Sequence, residues 1–102
     1  MMNELEYVLT CVSEEAVEVS QRCAKALRFG ISETQPGQPL TNEDRLWGEV
    51  ADLQGALEML IELRGGGNIT REQVDAKKVR IEEFSRYSSD LGCLQRSGNV
   101  AG

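Results

Sequence analysis

Residues 3–28, NELEYVLTCVSEEAVEVSQRCAKALR, decide the fold class. Their apolar positions Leu5, Val8, Leu9, Val12, Ala16, Val19, Cys23, Ala26 and Leu27 recur at steps of three and four, and no Gly or Pro interrupts them. That is the period of an amphipathic helix, so a long first helix is expected from about Asn3 to Arg28. Gly30 is placed to end it in a left-handed conformation, and 31–40, with Pro36, Gly37 and Pro39, reads as an irregular connection. Thr41 then offers an N-cap, with Asn42, Glu43 and Asp44 over the first turn. A second helix follows through Leu46, Val50, Leu53, Leu57 and Leu60 to about Leu63, where Gly65-Gly66-Gly67 stops it. Thr70 and Gln73 have the spacing of a capping box, and Val74, Ile81, Phe84 and Leu91 carry a third stripe to about Asp90. From Gly92 onward a frayed tail is expected. Gly48 and Gly55 cost about 1 kcal/mol each inside a helix, which points to close packing of another backbone or a ligand.

Three helices over a 102-residue chain predict one all-α domain, a helical hairpin plus a third helix. Its core is thin and leaves Trp47 uncovered, so a homodimer or homotetramer built as a four-helix-bundle-like assembly is expected. Phe29 is expected to pack in the core at a helix end, and Cys11 and Cys23 to be small buried apolar groups.

Composition narrows the chemistry. A net charge of -6 argues against polymeric nucleic acid as a partner and favours a cation. The chain has no histidine, which removes the commonest general base, the commonest zinc ligand and every Ser-His or Cys-His pair. Three cysteines without a C-x-x-C pair suggest neither a disulfide framework nor a thiolate metal site, and a reducing cytoplasm fits them. No run is long and apolar enough for a membrane span, and the amino-terminal residues do not resemble a signal peptide.

The residues that carry chemistry are Glu14, Glu15 and Glu18 on the first helix and Glu49 and Asp52 on the second. Acids three apart on a helix stand about 60° from each other, so Glu15 with Glu18 and Glu49 with Asp52 form two pairs at the flank of the apolar stripes. Brought together, they repel unless a hard divalent cation such as Mg²⁺ or Mn²⁺ accepts their oxygens. Arg22, Lys25 and Arg28 share the sector of the first helix, and Arg45 lies one turn before Glu49. Fixed cations beside a metal cluster are what a polyphosphate requires. The competing explanation is a solvated acidic face, as in a non-catalytic helical interaction module.

The motif Glu14-Glu15-x-x-Glu18 followed by Glu49-x-x-Asp52 resembles the MazG-like superfamily of all-α nucleoside triphosphate pyrophosphohydrolases, in its short phage-type form. The resemblance spans about residues 5–63. It implies magnesium ligation by Glu15, Glu18, Glu49 and Asp52, with Glu14 binding a second metal or orienting water. It also implies hydrolysis of a (d)NTP between the α and β phosphates, a dimeric or tetrameric assembly and, for a phage protein, a place in the host cytoplasm. Some short phage forms prefer dGTP. Gly48 departs from the family pattern, where a bulkier or acidic residue is common. The inferred chemistry is attack of a metal-activated water on the α-phosphorus, with Glu14 or Glu15 accepting the proton and Arg22, Lys25 or Arg28 holding the leaving pyrophosphate. Phe29, Gln38, Asn42 and Trp47 mark the expected neighbourhood of the base or sugar, although Asn42 and Gln38 suit loop hydrogen bonds equally. For Trp47, packing in a subunit interface is the weightier alternative.

Overall fold

The computed structural model describes residues 1–96 and contains three α-helices and no strand among them. α1 runs Glu4–Phe29, α2 Asn42–Arg64 and α3 Arg71–Asp90. The all-α expectation holds, with element bounds within about a residue of those expected. Local chemistry explains the bounds. Asn3 accepts from the Glu6 backbone N–H while the Glu6 side chain accepts from Asn3, a reciprocal cap. Thr41 caps α2 by accepting from the Asp44 N–H, and Thr70 and Gln73 cap α3 reciprocally. Gly65 ends α2 at φ 67, ψ 24, and its N–H donates to Ile61. Gly30 ends α1 differently from expectation. Its φ of 101 is positive but its ψ of 141 is extended, so the chain leaves in a direction that only glycine adopts readily.

The chain divides into two compact units, Met1–Gly67 and Asn68–Gly102. In the first, α1 and α2 pack along their length as an antiparallel hairpin, with Tyr7 and Met59 at one end and the connection at the other. The side chains of α1 with reduced exposure include Leu5, Val8, Val12, Glu15, Val19, Arg22 and Ala26, a repeat of three and four. Glu15 and Arg22 therefore occupy the same stripe as the valines. On α2 the corresponding positions include Asn42, Arg45, Glu49, Leu53, Ala56 and Leu60. Among the described residues only Val8 and Ala56 are buried apolar residues, so the core is as thin as the sequence suggested. Phe29 is not core; it is 45% exposed with the Arg28 guanidinium 4.8 Å from its ring centroid. Cys11 is half-buried and Cys23 exposed, because position 23 lies off the stripe that faces α2. Among the described residues, and apart from sequence neighbours and the backbone of α2 itself, no group lies within 4 Å of a Cβ built at Gly48 or Gly55, so the expected close packing of another backbone is not found there.

Residues 31–41 are clasped to the start of α2. The Asn42 N–H donates to the Glu33 carbonyl at 2.9 Å and the Glu43 N–H to the Ile31 carbonyl at 3.0 Å. The Asn42 side-chain amide donates to the Gly30 carbonyl and to Glu33 Oε1, both at 2.8 Å. Asn42 is wholly buried.

In the second unit, α3 is followed by a turn in which the Gly92 and Cys93 N–H groups donate to Ser89 and Ser88. Arg96 donates to Glu82 Oε1 and to the Ser85 hydroxyl. The rest of the expected tail, 97–102, lies outside the described residues. Among the described residues no helix is long and apolar enough to cross a membrane.

Candidate functional site

Three of the five acids converge. One carboxylate oxygen from each of Glu15, Glu18 and Glu49 lies within 4.8 Å of the others. Helix geometry produces this. Glu15 and Glu49 sit in the facing stripes of α1 and α2, and Glu18 follows Glu15 by one turn. Glu15 and Glu49 are half-buried and Glu18 is exposed. Oε2 of both Glu15 and Glu49 is buried without a hydrogen-bond donor. Asp52 is exposed one turn beyond Glu49, and Glu14 is exposed beside Glu15; neither is part of the triad.

The cationic residues divide. Arg22 is half-buried one α1 step from the triad, and its Nη1 is buried without an acceptor. Lys25 is half-buried and Arg28 exposed over Phe29. Arg45 donates to Gln35 Oε1 at 3.0 Å and so braces the connection. Among the described residues, no ion pair within 4.0 Å joins a cation to the triad; the ion pairs found, such as Arg71 with Asp75, are in the second unit.

Beside the triad, Tyr7, Val8, Cys11, Glu15, Ala51, Asp52, Gly55, Ala56 and Met59 line an open groove of about 480 Å³. It is mostly apolar, with Glu15 and Asp52 as its acidic end. The groove went unforeseen in the sequence. Its one signal was Gly55, which leaves the α2 wall without a side chain. Of the expected base or sugar neighbourhood, Trp47 is 60% exposed with its indole N–H donating to Glu43 Oε2 at 3.3 Å. Gln38 is exposed at the loop turn, where its N–H donates to the Gln35 carbonyl. Both amide hydrogens of Asn42 are committed to the clasp, and its Oδ1 is buried without a donor.

Crowding of like charge marks the site electrostatically. The Glu49 carboxyl is held above its ordinary range, first by the hydrogen bond it shares with Glu18, then by burial and by the charges of Glu18 and Asp52. Arg22 pulls the other way. Because the value is raised on folding, Glu49 contributes stability that is complete below the ordinary glutamate pKa of about 4.3 and lost as pH rises through the raised value. In EDTA, thermal unfolding of the protein should therefore show an added loss of stability as pH rises above the ordinary glutamate range, which Glu49→Gln lacks. Parallel pH profiles for the two proteins would remove Glu49 as the source.

The arrangement fits a hard divalent cation. Its donors are carboxylate oxygens only, Glu15 and Glu49 each keep one buried oxygen, Oε2, without a hydrogen-bond partner, and the mutual repulsion of the three acids is what a cation relieves. Compared with known proteins, the chain matches no family model, no curated protein and no solved structure.

Proposed function

We propose that the protein is a divalent-cation-dependent (d)NTP pyrophosphohydrolase that releases a (d)NMP and pyrophosphate. The observation that carries this reading is the convergence of Glu15, Glu18 and Glu49, with buried oxygens lacking donors, beside an apolar groove and the basic stripe of α1. The likeness of Glu14-Glu15-x-x-Glu18 and Glu49-x-x-Asp52 to the MazG-like motif supports the same chemistry. Glu15, Glu18, Glu49 and Asp52 are the proposed ligands of Mg²⁺, for which Mn²⁺ substitutes. When bound, such an ion lowers the pKa of a coordinated water and offsets phosphate charge.

The chain's own residues supply the rest. Glu15, with Glu14 as its neighbour, accepts the proton of the attacking water. Arg22 and Lys25 lie next along α1 and hold the phosphate chain, with Arg28 and Arg45 further along towards the connection. The groove from Cys11 to Met59 gives the nucleoside a surface of low polarity, on the side of the triad away from Arg22. Substrate preference for dGTP, within phage nucleotide metabolism in the host cytoplasm, is the finer form of the proposal. A homodimer or homotetramer belongs to it as well, since Leu9, Val17 and Leu27 stay exposed while only Val8 and Ala56 are buried apolar residues among those described.

Incubation with each of the eight common (d)NTPs and Mg²⁺ or Mn²⁺, with products resolved by anion exchange, tests the reaction. Monophosphate with pyrophosphate, absent in EDTA, is the expected result. No cleavage with either metal would overturn the proposal and leave the acids as an interaction surface.

A further inference from the structure

The second unit carries an apolar seam that its own described residues leave open. Positions 74, 77, 81, 84, 88 and 91 recur at alternating steps of three and four, the spacing of a coiled-coil seam. No residue of α3 is buried, and Ile81, Phe84 and Leu91 are 59%, 69% and 61% exposed. Two further features identify the occupant. Residues 71–80 hold Arg71, Lys77, Lys78 and Arg80 against Glu72 and Asp75, a net +2, whereas 81–90 hold Arg86 against Glu82, Glu83 and Asp90, a net -2. This polarity is opposite to what the helix dipole favours in an isolated helix, which prefers acids at the start and bases at the end. Its benefit therefore lies outside α3. The seam also matches itself when reversed: in one antiparallel register Val74 faces Leu91, Ile81 faces Phe84 and Lys77 faces Ser88, so apolar meets apolar and polar meets polar.

We infer that α3 pairs antiparallel with α3 of a second copy of this chain, burying the Val74–Leu91 seam and laying each basic half on an acidic half. A parallel pair would set +2 against +2 and -2 against -2, and would align the two helix dipoles unfavourably. The pairing surface is separate from the acidic triad and stands whether or not the chain cleaves nucleotides.

The unmodified protein tests it. A mixture of ¹⁴N- and ¹⁵N-labelled chains is treated with a carbodiimide that joins lysine amines directly to carboxylates, and the linked peptides are weighed. Lys77 or Lys78 joined to Asp90 in mixed-isotope pairs is the expected product. Along one helix those residues are about 18 Å apart, too far for a direct bond, so the link arises only between copies. A second measurement uses spin labels at Glu72→Cys or Glu83→Cys in a chain whose three native cysteines are Ser, with helicity checked by circular dichroism. Copies labelled at 83 should lie under about 20 Å apart and those labelled at 72 about 30 Å apart, from the helix rise and the usual spacing of packed helices. Short distances at both sites would show a parallel pair and overturn the inference. So would mixed links from Lys77 or Lys78 to acids of α1 or α2, or none at all while Lys78–Glu82 links form within one chain.

Discussion

Glu18→Gln and Asp52→Asn should each abolish the proposed nucleotide turnover while leaving helicity unchanged. Each change removes one charged oxygen donor from a site whose proposed work is electrostatic. The rate should fall by at least roughly a hundredfold, the scale for losing one preorganised contact to a transition state. Unfolding is not an alternative cause. In EDTA the acids of the triad repel, and the Glu49 carboxyl is displaced upward by its neighbours Glu18 and Asp52, so a neutral amide at either position relieves the free protein. The variants should thus melt no lower than the parent without metal, yet gain less from added Mn²⁺. Thermal melts with and without Mn²⁺, run beside the product assay, separate the two effects. Turnover within tenfold of the parent in either variant would dissolve the site assignment, whatever the melts show.

Asn42→Ala should cost the fold about 2 kcal/mol or more, given two side-chain hydrogen bonds, one of them to a charged carboxylate. For a chain of this size that lowers Tm by roughly 8–16 °C. Asn42→Asp distinguishes the clasp from simple loss of volume. It keeps the shape but removes both donors and sets a carboxylate against Glu33, so at neutral pH it should be worse than Ala. Acidification protonates one of the two acids and should restore part of the loss. Melting curves of both variants at acid and neutral pH provide the check. Equal Tm values for Asn42→Ala and the parent would mean that the connection is held by its backbone hydrogen bonds alone.

The helices were legible because their determinants are local. Three-and-four periodicity, Thr41 and Thr70 as caps, and Gly30 and Gly65 as stops act within a few residues, so the chain states them without reference to anything distant. The pairing of two i, i+3 acid motifs was legible for the same reason, as each motif lies on one helix face. Helix phase alone, however, set Glu15 and Glu49 at the flank of the apolar stripes. Packing puts them in the stripe that faces the other helix, where Val12 and Val19 flank Glu15 and a carboxylate loses much of its water. Arg22 was in that repeat all along, three residues after Val19, but a charged residue in an apolar stripe is readily assigned to solvent.

Asn42 shows the limit most clearly. As a residue after an N-cap, or as a loop amide able to read a base, it had two equal roles, and nothing within four residues separates them. Its partners, Gly30 and Glu33, are nine to twelve residues away, so its burial follows from the path of the connection. The sequence by itself determined the three helices, where they end and which acids share one helix turn, because hydrogen bonds and side-chain period are short-range. Only the tertiary structure decided that Glu15, Glu18 and Glu49 share a few ångströms while Asp52 borders the groove, because the rotation and depth at which two helices meet depend on all their packed side chains at once.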